Sequence, residues 1–144
     1  MAKGLSPTQR TLRALRQEGR LCAITEKWNA HAGPFGIRQD LFGFIDVLAL
    51  DRQRGFVGVQ CCAGSGHAAR RTKILNDCHN EALEWLHCGG KIEIWSWRKL
   101  RLKRGGAAMR WAPRIDELTL YDFGEVSDTQ DEGEDDDEGD EING

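Results

Sequence analysis

Residues 40–50 read DLFGFIDVLAL, an apolar run with one carboxylate, Asp46, near its middle. Buried, charged and unpaired, such a group costs several kcal/mol, so something must offset it. The run leads through DRQRG into a second apolar stretch, FVGVQCC at 56–62, and together they read as a β-hairpin with a glycine-containing turn. Pairing Leu50 with Phe56 across that turn sets Asp46 opposite Gln60, and opposed side chains share a face with Cβ atoms ~5 Å apart. Cys62 points to the same face. Two oxygen-bearing side chains so placed suit a hard divalent cation, since Mg²⁺ takes one or two protein carboxylates and keeps waters for substrate phosphates. The alternative is that Asp46 accepts from a backbone group or pairs with an arginine such as Arg38.

The elements that must position this pair follow from local pattern. SPTQ at 6–9 starts a helix: Ser6 is the N-cap, Pro7 sits at the first helical position, and Gln9 closes a capping box. The helix runs to about Glu18 and stops at Gly19, with Leu12 and Leu15 inward and Arg10, Arg13, Arg16 and Arg20 outward. LCAITEKW then reads as one strand and NAHAGPFG as a loop. RRTKILNDCHNEALEWLHCGG reads as one amphipathic helix, with Ile74, Cys78, Ala82 and Trp85 on its apolar face and Gly89 as its stop. KIEIWSW is an alternating strand, RKLRLKRGG a basic turn region, and MRWAPRIDELTL an edge strand because it contains Pro113. The order is α-β-β-β-α-β with one further strand, a mixed α/β domain.

That order, with GFIDVLAL and FVGVQCC on consecutive strands, resembles the PD-(D/E)xK nuclease superfamily, and within it the archaeal Holliday junction resolvase-like and phage-type members. The match covers roughly residues 6–100. The resemblance implies a restriction-endonuclease-like core, a mixed sheet flanked by helices. It also implies a metal-dependent endonuclease that hydrolyses phosphodiester bonds, using Mg²⁺ or Mn²⁺. Asp46 takes the place of the family's second-strand Asp, and Gln60 that of the third-strand acid, as in QxK variants. Cys62 stands where the family has its lysine, and a thiol cannot polarise water as an ammonium does. Lys73, or Arg70 or Arg71 beside it, is the candidate replacement from the following helix. Asp40 and Glu26 are candidates for a further acid. The expected catalytic set is therefore Asp46, Gln60 and Lys73, with Asp46 and Gln60 on the metal. The degenerate Cys62 position equally suits a nuclease fold that binds DNA or a protein without cutting.

Charge is unevenly spread. Residues 1–114 hold all 20 Lys and Arg against 9 Asp and Glu, a balance of +11, and residues 115–144 hold 14 acids and no base. The basic part suggests a polyanion, most simply DNA. Its expected contacts are Arg13, Arg16, Arg38, Arg70 and Arg71, with Arg98, Lys99, Arg101, Lys103 and Arg104 after the Trp95–Trp97 pair. Contacts to phosphates favour shape over sequence, hence branched or structured DNA. Junction-resolving relatives act as dimers, so the resemblance admits a homodimer. Residues 1–123 are taken as one domain and 124–144 as a disordered acidic tail, either solubilising or competing with DNA for the basic face. The start MAKGLSPTQR lacks a secretory h-region, no apolar run is long enough for a membrane span, and the five cysteines are odd in number. A cytoplasmic protein with reduced thiols and no membrane partner is expected. Cys62, His67, Cys78 and His79 match no common zinc spacing. Trp95 and Trp97 share a face and either close the core or stack on unpaired bases.

Overall fold

The computed structural model of the chain describes residues 4–125. Helix α1 (Pro7–Gln17) begins as the capping box requires: Gln9 N donates to Ser6 Oγ at 3.2 Å and Ser6 N to Gln9 Oε1 at 3.0 Å. A five-stranded mixed sheet has the order β1 (Cys22–Ile24), β4 (Val47–Asp51), β5 (Gly55–Ala63), β6 (Lys91–Arg101), β7 (Met109–Leu118). The β1–β4 and β4–β5 pairs are antiparallel, β5–β6 is parallel and β6–β7 antiparallel. A parallel pair needs a crossover, and the helical segment 67–87 provides it. The protein is therefore α/β with a mixed sheet and helices. Its α1-β1-β4-β5-helix-β6 order is interrupted by a small separate hairpin, β2 (Lys27–Asn29) with β3 (Ile37–Gln39).

Each sheet face has its own apolar cluster. Leu12 and Leu15 of α1 cover Val47, Ala49, Val57, Val59, Trp95 and Trp97. Trp97 Nε1 donates to Thr11 Oγ1 at 2.9 Å, so the two tryptophans close the core under α1 and are not a base-stacking surface. On the other face, Ile74, Cys78 and Ala82 cover Ile45, Ile92, Ile94 and Leu118. Fully burying one such side chain stabilises the fold by about 1.5–3 kcal/mol.

Several expected elements differ. The strand read into 40–50 begins only at Val47, and β6 runs on to Arg101 through the expected basic turn. LCAITEKW is not one strand: β1 ends at Ile24, with Thr25 still bonded to the chain before β4, its N donating to Asp46 O and its Oγ1 to Ile45 O, both at 2.8 Å. The chain then departs into β2. The expected single helix is three pieces, α2 (His67–Thr72), a π-turn (Lys73–Asp77) and α3 (His79–His87). Cys78 N reaches back to Lys73 O at 3.0 Å, a bond one residue wider than an α-helical one. Apolar periodicity does not register such an insertion, because Ile74, Cys78 and Ala82 remain on one face. Among the described residues, no helix is long and apolar enough to cross a membrane. The acidic tail, apart from Gly124 and Glu125, lies outside them.

Candidate metal centre

The hairpin register is the one the turn predicts. Leu50 pairs with Phe56 and Val47 with Val59. The regular pairing ends there: Asp46 N donates to Val59 O at 2.9 Å, one residue out of that register, so Asp46 lies just before β4 and not in the expected strand pair with Gln60. The two side chains meet all the same, Asp46 Oδ2 accepting from Gln60 Nε2 at 2.6 Å and from Cys61 N at 2.8 Å. It is 4 % exposed. Glu93, the other buried acid among the described residues, has Arg54 at 2.8 Å. Among the described residues Asp46 has no cation within salt-bridge distance; of its two expected alternative partners, Arg38 binds Glu26 instead, at 3.2 Å, while the backbone group is present as Cys61 N. Burial and the adjacent Asp40 carboxyl push Asp46 up to about 8, against the smaller lowering effect of the Cys61 and Gln60 donors.

The acids come from a second hairpin. β2 and β3 end with Lys27 opposite Gln39, so the next positions outward, Glu26 and Asp40, face each other at the base of that hairpin. Glu26, Asp40 and Asp46 each offer an oxygen, all within 4.8 Å of one another. Asp40 Oδ2 also receives Lys73 Nζ at 3.4 Å and lies 3.5 Å from Gln60 Nε2. The β2–β3 hairpin, the end of the β4–β5 hairpin and the π-turn of the crossover thus bring together three carboxylates, an amide and an ammonium. Sequence reasoning singled out Glu26 and Asp40 as further acids but had no sign of the β2–β3 pairing that joins them.

Gln60 departs from expectation in one respect. Its amide nitrogen, not its oxygen, faces the carboxylates. The oxygen, in a side chain 2 % exposed, has no hydrogen-bond partner. A buried carbonyl without a partner costs about 1–3 kcal/mol. The three carboxylates are hard oxygen donors, of the kind Mg²⁺ or Mn²⁺ takes. Cys62 does not join them. It is 5 % exposed in the second apolar cluster, where burial pushes its thiol up despite Arg70.

Around the acids lie two clefts. One of about 600 Å³ is lined by Ser6 and Thr8 at the start of α1, Glu26, Arg38, Cys62 and Arg70. The other, about 470 Å³, is lined by Arg38, Asp40, Phe42, Gly43 and Lys73. Arg13 and Arg16 are exposed on α1, and Arg98, Lys99, Arg101, Lys103 and Arg104 are exposed where β6 and β7 run out past the helices. Arg71 is engaged elsewhere: it bridges Asp116 at 2.9 Å and Asp122 at 2.7 Å. His67, weighed above as a zinc ligand, is buried with Nδ1 2.7 Å from Ser96 Oγ and Nε2 2.9 Å from Asp116 Oδ2. Both ring nitrogens are thus engaged, and they tie α2 to β6 and β7. No family model, curated protein or solved structure matches this chain.

Proposed function

We propose that the chain is a metal-dependent DNA endonuclease of the PD-(D/E)xK kind, hydrolysing phosphodiester bonds and selective for branched or structured DNA. The observation that carries this is the buried Asp46, without a cation partner among the described residues and with an oxygen within 4.8 Å of one from Glu26 and one from Asp40. The α-β-β-β-α-β order, once the β2–β3 hairpin is set aside, and the Asp46–Gln60 side-chain bond support the same reading. Glu26, Asp40 and Asp46 would hold Mg²⁺ or Mn²⁺, with Gln60 turned to present its oxygen. Bound there, the ion stabilises charge on the phosphoryl oxygens and lowers the pKa of attacking water.

The chain's own groups do the rest. Lys73 stands beside Asp40 at 3.4 Å, where an ammonium offsets negative charge as the missing strand lysine does in the family. The α-to-π change at Lys73 is a feature found often at functional sites. Exposed Arg38 and Arg70 border the acids, and the β6–β7 end supplies phosphate contacts farther out. The five free thiols fit the reducing cytoplasm. A second reading, a nuclease fold that grips DNA without cutting, is favoured by Cys62 in the lysine's place.

The test is a cleavage assay on four-way junction, flapped, single-stranded and duplex DNA with Mg²⁺, Mn²⁺ or EDTA, with Asp46→Ala alongside. Metal-dependent cutting that disappears in Asp46→Ala is expected. Retarded but uncut DNA, the same in both proteins, would select the binding reading.

A further inference from the structure

Phe42 is the one non-glycine residue among those described with a left-handed backbone, φ 55°. It sits in the tight loop between the two acids of the site, where Gly43 N donates to Asp40 O at 3.0 Å and Ile45 N to Leu41 O at 3.0 Å. A bulky side chain in that conformation is strained, and strain of this sort persists where surrounding structure enforces it, often at ligand sites. Burial does not repay it, because Phe42 remains 53 % exposed. The ring leans on Trp85, with centroids 6.3 Å apart and planes tilted by 53°. It also lines the cleft that holds Arg38, Asp40 and Lys73. The loop thus presents a supported, flat, apolar face to solvent beside two cations and the acid cluster.

The geometry points to Phe42 as a stacking platform for an unpaired nucleobase next to the phosphodiester held at the acids. This rests on the proposed function and narrows its substrate. A phosphate drawn to Lys73 and Arg38 carries its own nucleoside, and the nearest apolar surface in that cleft is the Phe42 ring. Bases inside a duplex have both faces occupied by their neighbours, so only a base out of the stack can lie on the ring. The preferred DNA therefore has at least one unpaired nucleotide at the point of contact, as a bulge, flap or single strand does. The hollow on the Trp85 side is bordered by Glu81 and Glu84, which repel phosphate, so the strand lies on the Lys73 side of the ring.

The test compares one sequence as blunt duplex, as duplex with a single bulged 2-aminopurine, and as single strand, binding in Ca²⁺ to the full chain. The wild type should quench the 2-aminopurine and bind the bulged form about tenfold more tightly than the duplex. Phe42→Ala should lose the quench and the preference while duplex affinity stays within about twofold. Phe42→Gly accepts the left-handed backbone without strain, so it should lose the preference with its fold intact by circular dichroism. Equal binding of the three forms by the wild type, or quench and preference retained in both variants, would overturn the proposal. Failure of the nuclease reading is a separate result, because it would show as DNA left uncut in Mg²⁺ or Mn²⁺, or cut equally by Asp46→Ala.

Discussion

Gln60 gives its amide N–H to the Asp46 carboxylate at 2.6 Å and leaves its own oxygen, shut away from water, without a donor. A glutamine chosen only to satisfy Asp46 would leave that oxygen a partner. Gln60→Glu replaces the donor with a fourth carboxylate. Without metal, crowding of acids should lower the unfolding midpoint at pH 7; with Mg²⁺ the added charge should tighten the ion about tenfold. Thermal melts in EDTA and across a Mg²⁺ titration read both. A variant as stable as wild type in EDTA, and no more responsive to Mg²⁺, would remove Gln60 from the site.

Stability without metal should fall as pH rises. Asp46 keeps its proton up to about 8 in the folded chain but loses it near 3.8 when unfolded. Its contribution is thus full below about pH 4, declines between about 4 and 8, and is level above, by at most about 1.4 kcal/mol per pH unit. Asp46→Asn should abolish that decline, so the difference between the two proteins isolates it. Mn²⁺ should abolish it in the wild type, because the ion takes the place of the proton. Urea midpoints from pH 5 to 9, with and without Mn²⁺, give the answer, and parallel wild-type and Asp46→Asn curves would refute the assignment.

Lys73 should matter to cutting and little to folding. Lys73→Met keeps most of the stem and removes the charge beside Asp40, and cleavage should drop about 100-fold, well beyond the loss of DNA affinity from one phosphate contact. Cys62→Lys in that background returns an ammonium to the strand and should recover part of the rate. Single-turnover rates on the preferred DNA decide it. If Lys73→Met cuts at the wild-type rate, the role belongs to another cation.

The Ser96–His67–Asp116–Arg71 chain holds the crossover helix to β6 and β7. Burial raises the Asp116 carboxyl, but the His67 bond and the Arg71 charge outweigh it and hold the group below its ordinary value. Asp116→Ala leaves a buried histidine and an arginine without their shared acceptor and should cost roughly 2–4 kcal/mol. Because Lys73 follows directly on α2, cleavage should weaken as well. Chemical denaturation measures the first effect, and a loss under about 0.5 kcal/mol would mean water replaces the carboxylate without penalty.

Much of the frame was legible in the chain itself. Ser6, Pro7 and Gln9 specify the start of α1 through bonds within one turn. The glycine turn at 51–55 sets the β4–β5 register as far as Val47–Val59, because side-chain alternation leaves no freedom once one pair is known. The meeting of Asp46 and Gln60 lies past the end of that register, where the Asp46 N bond to Val59 O is offset by one residue. The pattern of Pro113 and alternating residues placed β7 at the edge. These are local rules, and they act at short sequence separation.

What only the tertiary structure decided are the relations between elements. Glu26 and Asp40 meet through a three-residue strand pair too short to show as a pattern. Lys73 reaches Asp40 across 33 positions from a π-turn that keeps the apolar spacing unchanged. Arg71, alike in sequence to its neighbour Arg70, is turned inward by Asp116 and Asp122, two acids that follow more than 40 residues later. Composition and periodicity report which faces are apolar. Which charges end up beside one another depends on packing across the sheet, and no spacing along the chain encodes it.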